Sequence, residues 1–263
     1  HQHEVHDELV PIDAGVVLLF RPEGNEKEQD TAWMKYVEAC TIESKATTEP
    51  ADIKIEVARG GEYKIRLEDG TTVWLNSESS LIYPEKFTGD KRAVRLSGEG
   101  YFEVARDEKK PFIVSVTDME IKVLGTKFNV TAYQDEKMTT TTLISGAVEV
   151  VTPHRSVQLQ PGKQAMVQEG GDDITVLEVD VELATSWTAG IFKFDKMALT
   201  DICTRLSRWY DIDFVFEGET GKEKFTGGTW KYVPLKDFLS KIERVTNVLF
   251  LFENNTVKVV PKK

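Results

Sequence analysis

Residues 59–104 read RGGEYKIRLEDGTTVWLNSESSLIYPEKFTGDKRAVRLSGEGYFEV, and this stretch decides the fold. Its centre is Asp69-Gly70, a dipeptide typical of the turn in a β-hairpin. Apolar residues alternate with polar ones before the turn, after it, and again beyond a loop that contains one Pro and one Gly. These apolar residues are Tyr63, Ile65, Leu67, Val73, Leu75, Val94, Leu96, Phe102 and Val104. A period of two indicates strands with one buried face, so the stretch predicts an antiparallel sheet.

The same short alternating pattern continues to about residue 177, with Asp, Pro and Gly punctuating the strands. Hardly any helical period interrupts it. Many short strands at this spacing predict a mainly β fold, either an antiparallel β-sandwich or jelly roll or a short β-solenoid. The pattern does not choose among these architectures.

The pattern changes at residue 188, where strand and helix signals begin to alternate. The predicted buried helix faces consist of Leu199, Ile202, Cys203, Leu206 and Tyr210, and of Leu235, Phe238, Leu239, Ile242 and Val245. A shift of 36 residues aligns the two halves, so that FVFE at 214–217 meets FLFE at 250–253. The sequence therefore predicts a smaller α+β domain built as a doubled βαβ unit.

Charge supports a division into two domains. The chain of 263 residues has 33 basic and 44 acidic residues, a net charge of −11. Residues 191–263 carry 13 Lys/Arg against 10 Asp/Glu, whereas the rest carries 20 against 34. An overall acidic surface repels phosphate backbones, so we expect no nucleic-acid partner. We predict an all-β domain over 53–187 and an α+β domain over 188–263.

The N-terminal segment, residues 1–52, is predicted to be partly disordered or to pack on the β-domain. His1, His3 and His6 form a flexible cluster without the spacing of a zinc-protease helix, so no metal site is predicted. Residues 12–20 predict a strand, and a short helix follows Asp30. Cys40 and Cys203 are expected to be free, buried thiols.

Five motifs carry a resemblance to a known family. They are DGTTVWLN at 69–76, YPEKF at 83–87, GEGYFEV at 98–104, KPF at 110–112 and VLGTKFNV at 123–130. In this order they resemble the periplasmic region of FecR-type anti-sigma factors in the form common in Bacteroidetes. Residues 190–261 resemble the C-terminal domain of the same proteins and, more distantly, the short signalling domain of secretins and TonB-dependent receptors, called STN. Where typical members have Pro, this chain has Ala198, which affects only how the first helix begins.

The resemblance implies a non-enzymatic signal relay. It implies contact with the signalling domain of a TonB-dependent outer-membrane receptor, and control of an extracytoplasmic-function (ECF) sigma factor. It also implies a cytoplasmic segment and one inner-membrane helix ahead of the residues printed here, which would make this chain a periplasmic domain of a single-pass inner-membrane protein. No catalytic residue, cofactor or membrane contact within this chain is expected.

A relay protein needs a docking surface, and the FTGGTW region has the composition of one. Aromatic residues supply contact area, glycines permit close approach, and strand character permits edge pairing. The predicted partner-binding residues are Phe225, Thr226, Gly227, Trp230, Tyr232 and Trp209. The alternative for each aromatic residue is a place in the core of this small domain.

Two other functions remain open from the sequence. A carbohydrate-binding β-module would use exposed aromatic residues such as Trp74 and Tyr101 to stack on sugars. A hydrolase would use Glu99 and Glu103, but on a strand these lie roughly 13 Å apart, beyond the separation that glycosidases use. We therefore expect both carboxylates to be solvated.

Overall fold

The computed structural model describes residues 8–12, 15–19, 40–44, 52–117 and 119–262, with side chains from residue 52 onward. The chain divides into two compact units, residues 1–181 and residues 182–263. The predicted helix after Asp30 and the His1, His3 and His6 cluster lie outside the described residues. A strand is present within residues 12–20, at Gly15–Leu19.

The first unit is built of strands. They are β1 (Glu8–Ile12), β2 (Gly15–Leu19), β3 (Cys40–Ser44), β4 (Asp52–Val57), β5 (Tyr63–Arg66), β6 (Thr72–Leu75), β7 (Ser79–Pro84), β8 (Arg92–Glu103), β9 (Phe112–Val116), β10 (Met119–Val123), β11 (Lys127–Ala132), β12 (Met138–Ser145), β13 (Val148–Val151), β14 (Ser156–Leu159), β15 (Lys163–Gln168) and β16 (Ile174–Glu178).

Strands β3 to β16 form one mixed, nearly barrel-shaped sheet, and β1 pairs with β2 as a separate hairpin. Within the described part of this unit every strand pair is antiparallel except β8 with β9. A solenoid would stack parallel strands coil upon coil, so the β-solenoid alternative is excluded. The predicted mainly β fold with a smaller α+β part is confirmed.

The Asp69-Gly70 hairpin forms as predicted, with β5 pairing β6 from Tyr63–Leu75 to Arg66–Thr72. The Leu67 amide donates to the Thr71 carbonyl at 2.8 Å and the Gly70 amide to the Leu67 carbonyl at 3.0 Å. Three residues therefore close the turn, with Gly70 in the left-handed region at φ 85°. This is the three-residue hairpin loop that ends in a left-handed glycine.

Strand β8 joins the two halves of the sheet. Its first half pairs with β7 and β9, and its second half pairs with β6 and β11. It is one continuous strand of 12 residues. Gly98 stands where the strand changes partners, at φ 91°. A Cβ at Gly98 would lie 2.4 Å from Ser79 Oγ and 2.7 Å from Ser79 Cα, so only glycine fits.

The alternating apolar residues of the strands enclose one core. Its centre is a group of phenylalanines, in which Phe102 stacks on Phe128 with ring centroids 5.0 Å apart and meets Phe112 at 6.3 Å. All three rings are fully buried. Fully burying such a ring contributes about 1.5–3 kcal/mol, so this group is a main source of stability for the unit.

The second unit alternates strands and helices. Its elements are α1 (Val181–Thr185), a 3₁₀ helix (Ser186–Ala189), β17 (Ile191–Ala198), α2 (Leu199–Tyr210), β18 (Asp213–Phe216), β19 (Lys224–Trp230), α3 (Leu235–Arg244), β20 (Val248–Glu253) and β21 (Thr256–Pro261).

The repeat predicted from the 36-residue shift is visible in the order β17-α2-β18 and β19-α3-β20. Leu199 and Leu235 each begin a helix, and both are buried. The strands, however, pair across the repeats: β17 is antiparallel to β19, and β18 is parallel to β21, which also pairs with β20. Because β17, β18 and β19 each pair with a strand of the other half, the two halves form one folding unit.

One predicted core position in this unit is wrong. Val245 was expected on the buried face of α3, yet it is 73% exposed. The helix ends at Arg244, and Val245 occupies the C-cap, with its amide bonded to the Ile242 carbonyl at 3.1 Å. The helical period therefore does not extend to this residue.

Candidate functional site

Strand β19 carries most of the predicted docking residues and has one strand neighbour, β17, among the described residues. The pairing places Phe192 opposite Thr229 and Phe194 opposite Gly227, and the side chains of Phe192, Phe194 and Thr229 are buried. Alternation therefore places Ile191 and Trp230 on the outer face. No described strand pairs with the far edge of β19.

Trp230 and Tyr232 are the exposed aromatic residues of this region, at 58% and 65%. Trp230 pairs with Ile191 at the end of the sheet, and the Lys231 amide donates to the Gly190 carbonyl at 2.8 Å. A Cβ on Gly190 would lie 3.6 Å from the Tyr232 ring, so this ring lies over the start of β17. The two aromatic rings and Ile191 form a surface that we call the aromatic face.

The two glycines of β19 serve the sheet itself. A Cβ on Gly228 would lie 2.7 Å from the Phe192 carbonyl oxygen, and one on Gly227 would lie 3.5 Å from the Phe194 ring. The two glycines therefore allow close approach of β17 within the same unit, and they are not needed for the approach of a partner.

Phe225 and Thr226 have internal contacts. Thr226 Oγ1 donates to Asp195 Oδ1 at 2.7 Å and accepts from the Lys196 amide at 3.0 Å. These bonds close a bulge in β17, where Lys196 has a φ of 46°. Phe225 is half-buried and pairs with Met197 beyond the bulge. Both residues shape the strand, while Thr226 also remains at the surface.

Trp209 does not lie on a partner-facing surface, contrary to the prediction. Its side chain is only 7% exposed, packs against Phe192 with ring centroids 5.6 Å apart, and has Lys231 Nζ 5.2 Å from its ring centroid. Tyr210 is half-buried instead, and its hydroxyl donates to the Val233 carbonyl at 2.7 Å. Burial raises the pKa of Tyr210 to about 12.

A second apolar surface was missed by the sequence reasoning. The sheet β18-β21-β20 buries Val248, Phe250, Val257 and Val259 on one face. Its other face exposes Val215, Leu249 and Leu251 around the ion pair of Lys258 with Glu253, at 2.8 Å. The signal was the run VLFLF at 248–252, because an uninterrupted apolar strand indicates that both faces are covered.

In the first unit, Glu99 is not the solvated carboxylate that we expected. Its oxygens accept from Asn76 Nδ2 at 2.7 Å, Asn129 Nδ2 at 2.9 Å and Thr131 Oγ1 at 3.1 Å. Asn76 Oδ1 in turn accepts from the Ser77 amide at 2.8 Å. These motif residues join β8 to β11 and to the end of β6, which is a structural role.

Glu103 is likewise occupied, because Lys127 Nζ lies 2.8 Å from Glu103 Oε1. Burial, together with the charge of Glu103 and its hydrogen bond, raises the pKa of Tyr101 to about 12. The hydrolase hypothesis needs a carboxylate pair free to act on a substrate, and Glu99 and Glu103 are both engaged with neighbouring side chains.

Trp74 and Tyr101 contact each other edge to face, with ring centroids 5.3 Å apart. Lys64 Nζ lies over the Trp74 ring at 4.4 Å from its centroid. Sugar stacking needs a flat, open ring, so these contacts weigh against the carbohydrate-binding alternative. A depression of about 580 Å³ in this unit is lined by Arg106, Lys122, Leu124 and Glu149 among others, and neither of these aromatic residues lines it.

The described ranges show neither a metal site nor a membrane-spanning helix. No group of three or more His, Cys, Asp or Glu side chains there is placed to hold a metal ion. Cys203 is buried, and burial raises the pKa of its thiol. None of the described helices combines the length and the apolar character needed to cross a membrane.

Comparison with known proteins covers both units. Residues 53–149 match the family described as FecR protein, and residues 191–259 match the family described as FecR, C-terminal. No curated protein sequence matches the chain significantly.

Two crystal structures of a candidate anti-sigma factor from Parabacteroides distasonis ATCC 8503 resemble the chain. The structure at 1.65 Å is 30% identical, has a TM-score of 0.75, and the match covers 80% of this chain and 99% of that one. The structure at 2.50 Å has the same identity and TM-score, with 81% and 100% covered.

Proposed function

Because the chain belongs to the FecR family of anti-sigma factors, we propose that it is the periplasmic relay of a transmembrane signal. In this proposal its second unit docks on the signalling domain of a TonB-dependent outer-membrane transducer. A single inner-membrane helix carries the signal to a cytoplasmic segment that controls an ECF sigma factor. The periplasmic location and the transducer are inferred from the family resemblance.

The aromatic face is the observation that carries the docking assignment. Trp230 and Tyr232 expose more than half of their surface next to an edge of β19 that pairs with no strand in the described part of the chain. Aromatic side chains dominate binding energy where they are buried at the centre of an interface, and an open edge accepts a partner strand. The aromatic face supplies both features within one strand and the residues that follow it.

The first unit supports the proposal by what its motif residues do. Asp69, Asn76 and Glu99 are engaged in hydrogen bonds inside the unit, so the most recognisable part of the sequence serves as a scaffold. Docking then falls to the second unit. This division of labour fits a relay in which one unit holds shape and the other makes contact.

Replacing Trp230 by alanine is expected to weaken binding of the transducer's signalling domain by at least ~1 kcal/mol, about fivefold in Kd. The loss follows from removing the largest exposed side chain of the aromatic face. Isothermal titration of the full chain with the signalling domain of the transducer encoded beside it measures the effect.

Two variants serve as controls in this titration. Val245→Ala removes an exposed apolar side chain elsewhere in the unit and should leave the Kd unchanged. Leu251→Ala probes the other exposed apolar surface. If Leu251→Ala weakens binding and Trp230→Ala does not, the docking surface is the face of β18-β21-β20, and the assignment to β19 is wrong.

A further inference from the structure

Strand β20 is an edge strand with unusual exposure of apolar side chains. It pairs with β21 alone among the described strands, and Leu249, Leu251 and Phe252 are all exposed. Natural edge strands commonly avoid edge-to-edge association through Lys, Pro or a bulge. Between Val248 and Phe252 β20 has none of these protections.

One side chain covers the edge instead. Glu243, near the end of α3, accepts a hydrogen bond from the Phe250 amide at its Oε1, at 2.7 Å. This bond shows that the Phe250 amide points away from β21, toward the free edge. Along an antiparallel strand every second residue points its backbone N–H and C=O groups to the same side, so those of Val248 and Phe252 also point to this edge.

The open edge is complementary to itself. A twofold axis at Phe250 would place Phe250 opposite its copy, Val248 opposite Phe252, and Leu249 opposite Leu251. The outward backbone groups then face one another in hydrogen-bonded pairs. Four leucines meet on one face of the joined sheet, and Phe252 of each copy covers Val248 of the other.

Charge favours the same arrangement. Glu253 of one copy would lie opposite Asn247 of the other, and Asn247 accepts from the Lys262 amide at 2.7 Å. The Lys262 ammonium lies close by, where it bonds the Thr246 carbonyl at 2.8 Å. Antiparallel pairing therefore brings the acidic end of each strand to the basic end of its copy, and the like charges that would meet are the two Glu243 carboxylates at the axis.

From these contacts we propose that the β20 edge is a pairing surface for a second copy of this chain, and that Glu243 is the latch that keeps it closed. The Glu243 carboxylate already accepts the hydrogen bond of the Phe250 amide, and pairing requires that amide to donate to the Phe250 carbonyl of the second copy. Pairing requires the carboxylate to move aside, and a charge-assisted hydrogen bond opposes that movement. The edge is thus self-complementary, but in the single chain the Glu243 carboxylate blocks pairing at Phe250.

Sedimentation equilibrium of the full chain tests the latch. Glu243→Ala removes the carboxylate and should tighten self-association about tenfold or more over wild type, because one unpaired amide per copy gains a partner. Glu243→Gln keeps an acceptor without the charge and should fall between the two. Adding Leu251→Lys to Glu243→Ala should return self-association to the wild-type level, since a lysine opposes edge pairing.

Far-UV circular dichroism of each variant confirms folding, and Glu243→Gln remains as the milder test if Glu243→Ala does not fold. A folded Glu243→Ala chain that associates no more than wild type contradicts the proposal. So does a Glu243→Gln chain indistinguishable from wild type when the alanine variant is unfolded. Association that survives Leu251→Lys places the contact elsewhere and is equally contrary to the proposal.

Discussion

Replacing Arg92 by alanine should lower the free energy of unfolding by about 3–5 kcal/mol, the range for breaking a buried ion pair by removing one partner. Arg92 is 2% exposed, and its Nη1 lies 2.8 Å from Asp69 Oδ2. The same guanidinium donates to the Ala105 and Lys110 carbonyls, each at 2.8 Å. Without it, a carboxylate and two carbonyl groups each lose a hydrogen-bond donor in a part of the molecule that water scarcely reaches.

Removing Arg92 should also weaken the other hydrogen bonds of the hairpin turn. Asp69 also accepts from the Thr71 amide and hydroxyl, at 3.0 and 2.7 Å, and Thr71 Oγ1 accepts from the Ala105 amide at 3.1 Å. Arg92 therefore ties the Asp69-Gly70 turn to β8. Urea denaturation of the full chain, followed by far-UV circular dichroism, measures the change.

Arg95→Ala is the matched control, because Arg95 belongs to the same strand and also contacts an acid. Its bond to Asp52, at 3.2 Å, is exposed on both sides, and such pairs contribute about 0–1 kcal/mol. Equal destabilisation by the two alanine variants would show that burial of the Arg92–Asp69 pair does not matter. That result would remove the physical argument for the scaffold.

Gly98→Ala should destabilise the chain by about 3 kcal/mol, because strain and overlap act together. The residue has a φ of 91°, and the added Cβ would lie 2.7 Å from the Ser79 Cα, a backbone atom of β7. Ser79 cannot withdraw freely, since its Oγ accepts from the Glu99 amide at 2.8 Å. The same urea denaturation measures the loss.

Gly89→Ala is the control for this substitution, because a Cβ there meets no atom within 4 Å. It should leave stability unchanged or raise it by about 0.5 kcal/mol through a less flexible unfolded chain. If Gly98→Ala is as well tolerated as Gly89→Ala, then Gly98 is not the point that lets β8 pass between two sets of neighbours.

Much of this fold could be predicted from local patterns. The Asp69-Gly70 dipeptide predicts its hairpin, and the two-residue alternation of apolar and polar residues predicts most strands of the first unit. Strand β12 escaped because its buried positions include Thr141 and Thr142, which a search for apolar alternation does not count. The sequence does not show that β8 is continuous, because a glycine inside a strand pattern usually signals a break or a bulge. Here it marks a change of partners, which depends on distant strands.

The candidate site was predictable only in part. Composition pointed to the FTGGTW segment, and Trp230 and Tyr232 are exposed there. Trp209 was misplaced because both Trp209 and Tyr210 can follow the helical period, and only packing on Phe192 decides between them. Glu99 was misjudged because its three hydrogen-bond donors lie 23 to 32 residues away in sequence.

Hydrogen–deuterium exchange of the full chain, with and without the transducer's signalling domain, tests the central claim most directly. Docking at the open edge of β19 should slow exchange in peptides covering residues 224–232 and leave those covering 69–104 unchanged. Protection confined to 69–104, with none at 224–232, would contradict the assignment of docking to the second unit and place it on the β-domain.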